Sequence, residues 1–165
     1  MKISATIDYA ATPHHVFAML ADEAFQTRKC AATGALSHTV SISAQGDRTI
    51  IVSSRDLPTD DFPAFVKSLV GATLAITETQ DWGPAATDGA RQGTLTVDIA
   101  GAPIDLDGTL SLAPAGQGSV ETIQGDLKAR IPLFGGQIEK AAAPAIESAI
   151  STEREIGQAW LATRK

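Results

Sequence analysis

Aromatic side chains are scarce in this sequence. They make up 5% of 165 residues, while hydrophobic residues reach 44% and are mostly Ala, Ile, Leu and Val. A core of small side chains either closes tightly or leaves an internal space, and composition alone does not choose between them. Cationic blocks are missing too: 13 Lys and Arg stand against 19 Asp and Glu, a net charge of −6. Without clustered cations a nucleic-acid partner is not expected, because phosphate neutralisation requires them. The single cysteine, Cys30, excludes an internal disulfide and a cysteine metal cluster. His14 and His15 are adjacent and diverge on a helix, and only His38 follows, so no metal site is expected. No cofactor is expected either: a phosphate loop and a Gly-x-Ser-x-Gly elbow are both missing. No segment approaches the roughly 18 consecutive apolar residues of a membrane span, and Met1–Ala10 lacks the apolar core of a signal peptide. The expectation is one soluble, cytoplasmic domain covering residues 1–165, without integral membrane insertion.

What is present is a clear order of periods. Ile3, Ala5, Ile7 and Tyr9 alternate with polar residues, the pattern of a half-buried strand. Thr12-Pro13 caps a short helix through Val16, Phe17 and Leu20. Asp22 caps a second, from Glu23 to about Ala32. Period two returns from Leu36 to Ile42, turns at Gln45-Gly46-Asp47, and comes back over Arg48–Arg55. A helical excursion, Phe62 to Leu69, ends at Gly71. Strands follow to Trp82, through Leu95–Ile99, through Ile104–Leu112, and over Ser119–Ile131. After Pro132 the period changes: Phe134, Ile138, Ala142, Ala145, Ile146, Ala149, Ile156 and Trp160 have helical spacing. A helix from Gly136 to Thr163 would run roughly 40 Å, enough to cross a sheet. Pro144 inside it should bend it. The fold class is α+β: a seven-stranded curved antiparallel sheet, two short helices between its first two strands, and a long C-terminal helix, the helix-grip arrangement.

That order resembles the START-like, or birch-pollen-allergen-like, superfamily of polyketide cyclases and lipid-transfer domains, over essentially the whole chain. Asp56-Leu57-Pro58 leading to Val66-Lys67-Ser68-Leu69-Val70-Gly71, the strand ending in Trp82, and Ile131-Pro132-Leu133-Phe134-Gly135-Gly136-Gln137-Ile138-Glu139 are similar to an uncharacterised bacterial family within it. The resemblance implies a pocket between the sheet and the C-terminal helix; it does not imply one reaction. The Gly135-Gly136 pair is expected to permit close backbone approach at the helix entrance.

Strand parity and helix spacing nominate the lining of that pocket. From the strands come His38, Val40, Leu74, Ile76, Glu78, Leu95, Val97, Leu106 and Leu110; from the helix, Ile138, Ala142, Ala145, Ile146 and Ala149. Gln80, Tyr9, Ser54 and Glu121 are weaker candidates. A His38–Glu78 pair could do acid/base work; alternatively Glu78 is solvated at the rim and His38 is a satisfied edge residue. The run Ala141-Ala142-Ala143-Pro144-Ala145 either leaves room for a ligand or simply packs closely. Trp82 and Trp160 are expected to be packing anchors. The leading reading is a protein that binds an apolar or amphipathic small molecule, a lipid, isoprenoid or polyketide-like compound. The alternatives are a polyketide cyclase/dehydratase-like enzyme, for which the sequence names no catalytic residue, and a non-catalytic interaction module with a filled core.

Overall fold

The two short helices begin where their caps dictate. The Thr12 hydroxyl accepts from the His15 amide at 3.4 Å, and Pro13 occupies the first turn of α1 (Pro13–Leu20). Asp22 Oδ1 accepts from the Ala24 and Phe25 amides at 2.8 and 3.3 Å, opening α2 (Glu23–Ala32). The computed structural model describes residues 1–164.

The strands are β1 (Lys2–Tyr9), β2 (Ser37–Gln45), β3 (Arg48–Pro58), β4 (Thr73–Trp82), β5 (Arg91–Ile99), β6 (Ile104–Ala115) and β7 (Gly118–Ala129). They form one antiparallel sheet in the order β1-β7-β6-β5-β4-β3-β2. Helix α3 (Ala64–Val70) is the excursion between β3 and β4. The last element, α4 (Gly135–Ala162), packs on β7, β1, α1 and α2. This is the helix-grip arrangement expected from the periods. Helix α4 runs unbroken through Pro144, which lies on its exposed side, where the carbonyl its missing amide leaves free can be hydrated.

The core lies between the sheet and α1, α2 and α4. Phe17 meets Trp82 and Phe25 meets Trp160 edge to face, with ring centroids 5.9 and 5.6 Å apart. Both tryptophans are packing anchors, buried against the two short helices. At the entrance to α4 the glycine pair divides. A side chain at Gly135 would strike the Ala129 carbonyl, whereas Gly136 has open space around it. Close approach therefore requires only the first. A second such position is Gly157, where a Cβ would lie 2.7 Å from Tyr9 Cε1 and 3.2 Å from Met19 Cε. Its bare backbone lets α4 close over β1 and α1.

Candidate functional site

The register shows which side chains share the concave face. One row runs His38–Arg55–Ile76–Ile99; the next runs Val40–Ser53–Glu78–Val97–Leu106–Leu127; a third runs Ile42–Ile51–Gln80–Leu95. Thus His38 and Glu78 both lie on the inner face. The weaker candidate Ser54 does not: it pairs with Thr77 on the outer face, and the inner residue is Ser53, because the β3–β4 register sets Ser53 opposite Glu78.

Under α4 the inner face carries a cluster of buried and half-buried charges drawn from separate elements. Lys29 of α2 is 4% exposed, and its Nζ donates to Glu78 Oε1 at 3.3 Å and to Glu153 Oε2 of α4 at 3.2 Å. Arg55 donates through both terminal nitrogens to Glu78 Oε2 at 3.4 Å. Gln80 Nε2 donates to Glu78 Oε1 at 2.8 Å, while its own Oε1 accepts from Trp82 Nε1 at 2.9 Å. Deeper still, the Tyr9 hydroxyl donates to Glu121 Oε2 at 3.4 Å.

These surroundings set the protonation states. Burial alone would push Glu78 up, but the Lys29 and Arg55 cations and the Gln80 bond outweigh it and hold Glu78 at about 2. Burial pulls Lys29 down, yet the Glu153 and Glu78 carboxylates hold it above the ordinary lysine value. Glu121 goes the other way. Its burial, then the negative charge of Glu153, raise it well above the carboxylate range despite Lys29 and the Tyr9 bond. Tyr9 is raised by burial and then by its neighbours Glu121 and Glu153. Two cations, Lys29 and Arg55, thus face the carboxyls of Glu78 and Glu153, and burial beside Glu153 holds Glu121 towards its protonated form. Among the described residues, Arg55 Nε and Glu153 Oε1 of this cluster have no hydrogen-bond partner.

The nominated residues separate by burial. Leu74, Leu95, Leu106, Leu110 and Ile138 are buried and belong to the packed core. His38, Val40, Ile76, Val97, Ala142, Ile146 and Ala149 are half-buried. Ala145 is a correction: it is exposed. The inward stripe of α4 runs Ile138, Ala142, Ile146, Ile150, Glu153, Gly157, Trp160, and Ala145 falls to its side. Glu78 is partnered by Lys29, Arg55 and Gln80, and the suggested His38–Glu78 pair is not formed among the described residues; Arg55 stands between them in the row pattern. Lys29, Arg55 and Glu153 were not nominated. One signal was available for Glu153: it lies seven residues from both Ile146 and Trp160, on the same stripe.

A cleft of about 380 Å3 opens between α4 and the edge strand β1, lined by Ile3, Ala5, Ala143, Ile146, Ile150 and Arg154 among others. Of the nominated residues only Ile146 lines it, and its sheet side is β1, not β4–β6.

The fold is shared with proteins of known structure at low identity. An aromatase/cyclase from Streptomyces sp. R1128 superposes with TM-score 0.61 at 10% identity, covering 99% of this chain and 94% of that one. A START superfamily protein from Mycobacterium smegmatis gives TM-score 0.55 at 13% identity, with 93% and 94% covered. Uncharacterized protein Rv0481c of Mycobacterium tuberculosis (strain ATCC 25618 / H37Rv) is 29% identical over 122 residues, 70% of this chain and 67% of that protein. A family model described as "Protein of unknown function (DUF2505)" matches residues 4–161, nearly the whole of the sheet and of α4. On that match the chain, a START-like helix-grip protein in fold, belongs to the DUF2505 family.

Proposed function

We propose that this chain binds an apolar or amphipathic small molecule against the inner face of its sheet. The body of the ligand lies over Ile76, Val97 and Ile99, and one end is directed at the Arg55–Glu78 pair. The observation that carries this reading is the incomplete cover of that face. Ile76, Val97 and Ile99 share adjacent rows and are only half-buried, while Leu95, Leu106, Leu110 and Leu127 of the same face are buried. Half-covered apolar surface beside a few convergent polar groups is the usual make-up of a small-molecule site. The same fold in an aromatase/cyclase and in a START superfamily protein supports it. The test is a fluorescence titration with 1-aminoanthracene. The wild type should bind, and Val97→Asp should weaken binding at least about tenfold, the cost of a carboxylate against an apolar ligand. A wild type that never binds the probe, or a variant that binds equally well, overturns the reading.

A second reading, a cyclase/dehydratase-like catalyst, is favoured by one observation. Glu121 is buried, bonded to Tyr9 and raised above the carboxylate range by that burial, the setting of a buried general acid. Turnover lost in Glu121→Gln while probe binding persists would select this reading over a carrier.

A further inference from the structure

The first strand of the sheet is half protected and half open. Met1 and Leu127 exchange both main-chain hydrogen bonds, at 2.6 and 2.8 Å, which makes them a hydrogen-bonded pair of the β1–β7 ladder. Alternation then turns the amides and carbonyls of Ile3, Ala5, Ile7 and Tyr9 towards β7, and those of Lys2, Ser4, Thr6 and Asp8 away from it. Two of the outward carbonyls are covered by α4: Arg154 Nη2 donates to the Thr6 carbonyl at 3.0 Å, and Gln158 Nε2 to that of Asp8 at 3.2 Å. Side chains of α4 thus stand in for an eighth strand along the second half of β1. Along the first half they do not. Among the described residues no side chain reaches the outward main-chain groups of Lys2 and Ser4, and beside them lies the 380 Å3 cleft, with Ile3, Ala5, Ile146 and Ile150 in its walls.

We infer that this open edge takes an extended peptide segment of another protein, one that alternates apolar with polar residues and carries acidic side chains. Main-chain pairing with Lys2 and Ser4 would extend the sheet, while every second side chain of the peptide enters the cleft. The charge at the rim selects the occupant. Lys2, whose exposed ammonium also donates to Asp126 Oδ2 at 3.2 Å, and Arg154 are cations on either side of the cleft, and Glu147 is the acid that lines it. Self-pairing of two β1 edges about a two-fold axis would bring like cations together, whereas an acidic peptide meets them with the opposite sign. This edge is separate from the inner-face residues assigned to the small molecule.

The probe is an acetylated, amidated pentapeptide, Asp-Val-Thr-Val-Asp, titrated into the full-length protein and followed by amide and methyl NMR. It should shift the Lys2, Ser4 and Thr6 amides and the Ile146 and Ile150 methyls, and added salt should weaken it. Ser4→Pro removes one outward amide without touching the β7 ladder, a position where proline is tolerated. It should weaken the peptide about tenfold, the worth of one main-chain bond with its neighbour disturbed, and leave the melting temperature and the 1-aminoanthracene titration unchanged. Shifts confined to Val97 and Ile99, equal binding by Ser4→Pro, no shifts at millimolar peptide, or dimerisation through β1 without peptide would each overturn the inference.

Discussion

Replacing Glu121 by Gln should change how stability depends on pH more than stability itself. Glu121 is 1% exposed, flanked in the ladder by Ile7 and Leu112, and among the described residues its carboxyl is bonded only to Tyr9. Its ionisation would add a negative charge beside Glu153, in a set whose cations are Lys29 and Arg55. The folded chain therefore keeps the proton, while the unfolded chain loses it near the ordinary value of 4.5. The folded value is raised, so this contribution is fully present below the unfolded value and is lost as pH rises towards the folded one. Above 4.5 the folded state binds one more proton than the unfolded state, and stability falls by about 1.4 kcal/mol per pH unit for as long as the carboxyl stays protonated. The wild-type urea midpoint should therefore fall as pH rises above the unfolded value, while that of the variant should not follow it. Gln keeps the shape and does not titrate, so the variant escapes that loss. The assay is urea unfolding of both proteins at several pH values and constant ionic strength, and subtracting one from the other cancels every other titrating group. A difference that does not change with pH would mean that Glu121 is ionised in the folded chain and that burial does not hold its proton.

Glu78 predicts the opposite slope. Its folded value is depressed from 4.5 to about 2, so its stabilisation is complete above the unfolded value and is lost as pH falls through that window, about 3 kcal/mol in all; acid unfolding followed by circular dichroism should show a limb that is missing in Glu78→Gln. Lys29→Met should cost about 3–5 kcal/mol by leaving Glu78 and Glu153 without the cation between them, and adding Glu153→Gln should recover part of it; equal stability of the single and double variants would contradict the pairing. Gly157→Ala should lower the melting temperature even though Ala is favoured in helices by about 1 kcal/mol, because its Cβ would press on the Tyr9 ring, an overpacking of about 1–3 kcal/mol.

Much of this architecture is legible in the residues, and the reasons are local. The change of period after Pro132 places α4 within one residue of its observed ends, and hairpin turns such as Gln45-Gly46-Asp47 set the parity that puts His38 and Glu78 on the inner face. Parity fails by one step at Ser54 because a strand pattern with polar residues at both Ser53 and Ser54 carries no preference; only pairing with β4 decides it. The charge cluster was mostly illegible for a different reason. A lysine on a short helix and a glutamate on a long one look like solvent-facing residues, and only the tertiary structure brings Lys29 to Glu153 across 124 positions. Helical spacing did nominate Ala145, but a stripe one residue too wide includes the flank.

The strand order has a consequence for how this chain assembles. Among the described strands, the earliest in the sequence, β1, pairs only with the latest, β7, and the helix that follows β7 closes over their junction. Six strands pair with their neighbours in sequence, across links no longer than the α3 excursion, but β1 must wait for a partner more than a hundred positions away. Helix α4 docks with a charged residue, Glu153, that is costly to bury until Lys29 is in place to receive it. Productive docking and correct N-terminal placement are thus one event. High contact order of this kind slows folding and makes the final step cooperative. A chain stalled before α4 docks exposes Tyr9 and Trp160 together with one edge of an unfinished sheet, the species a chaperone would meet.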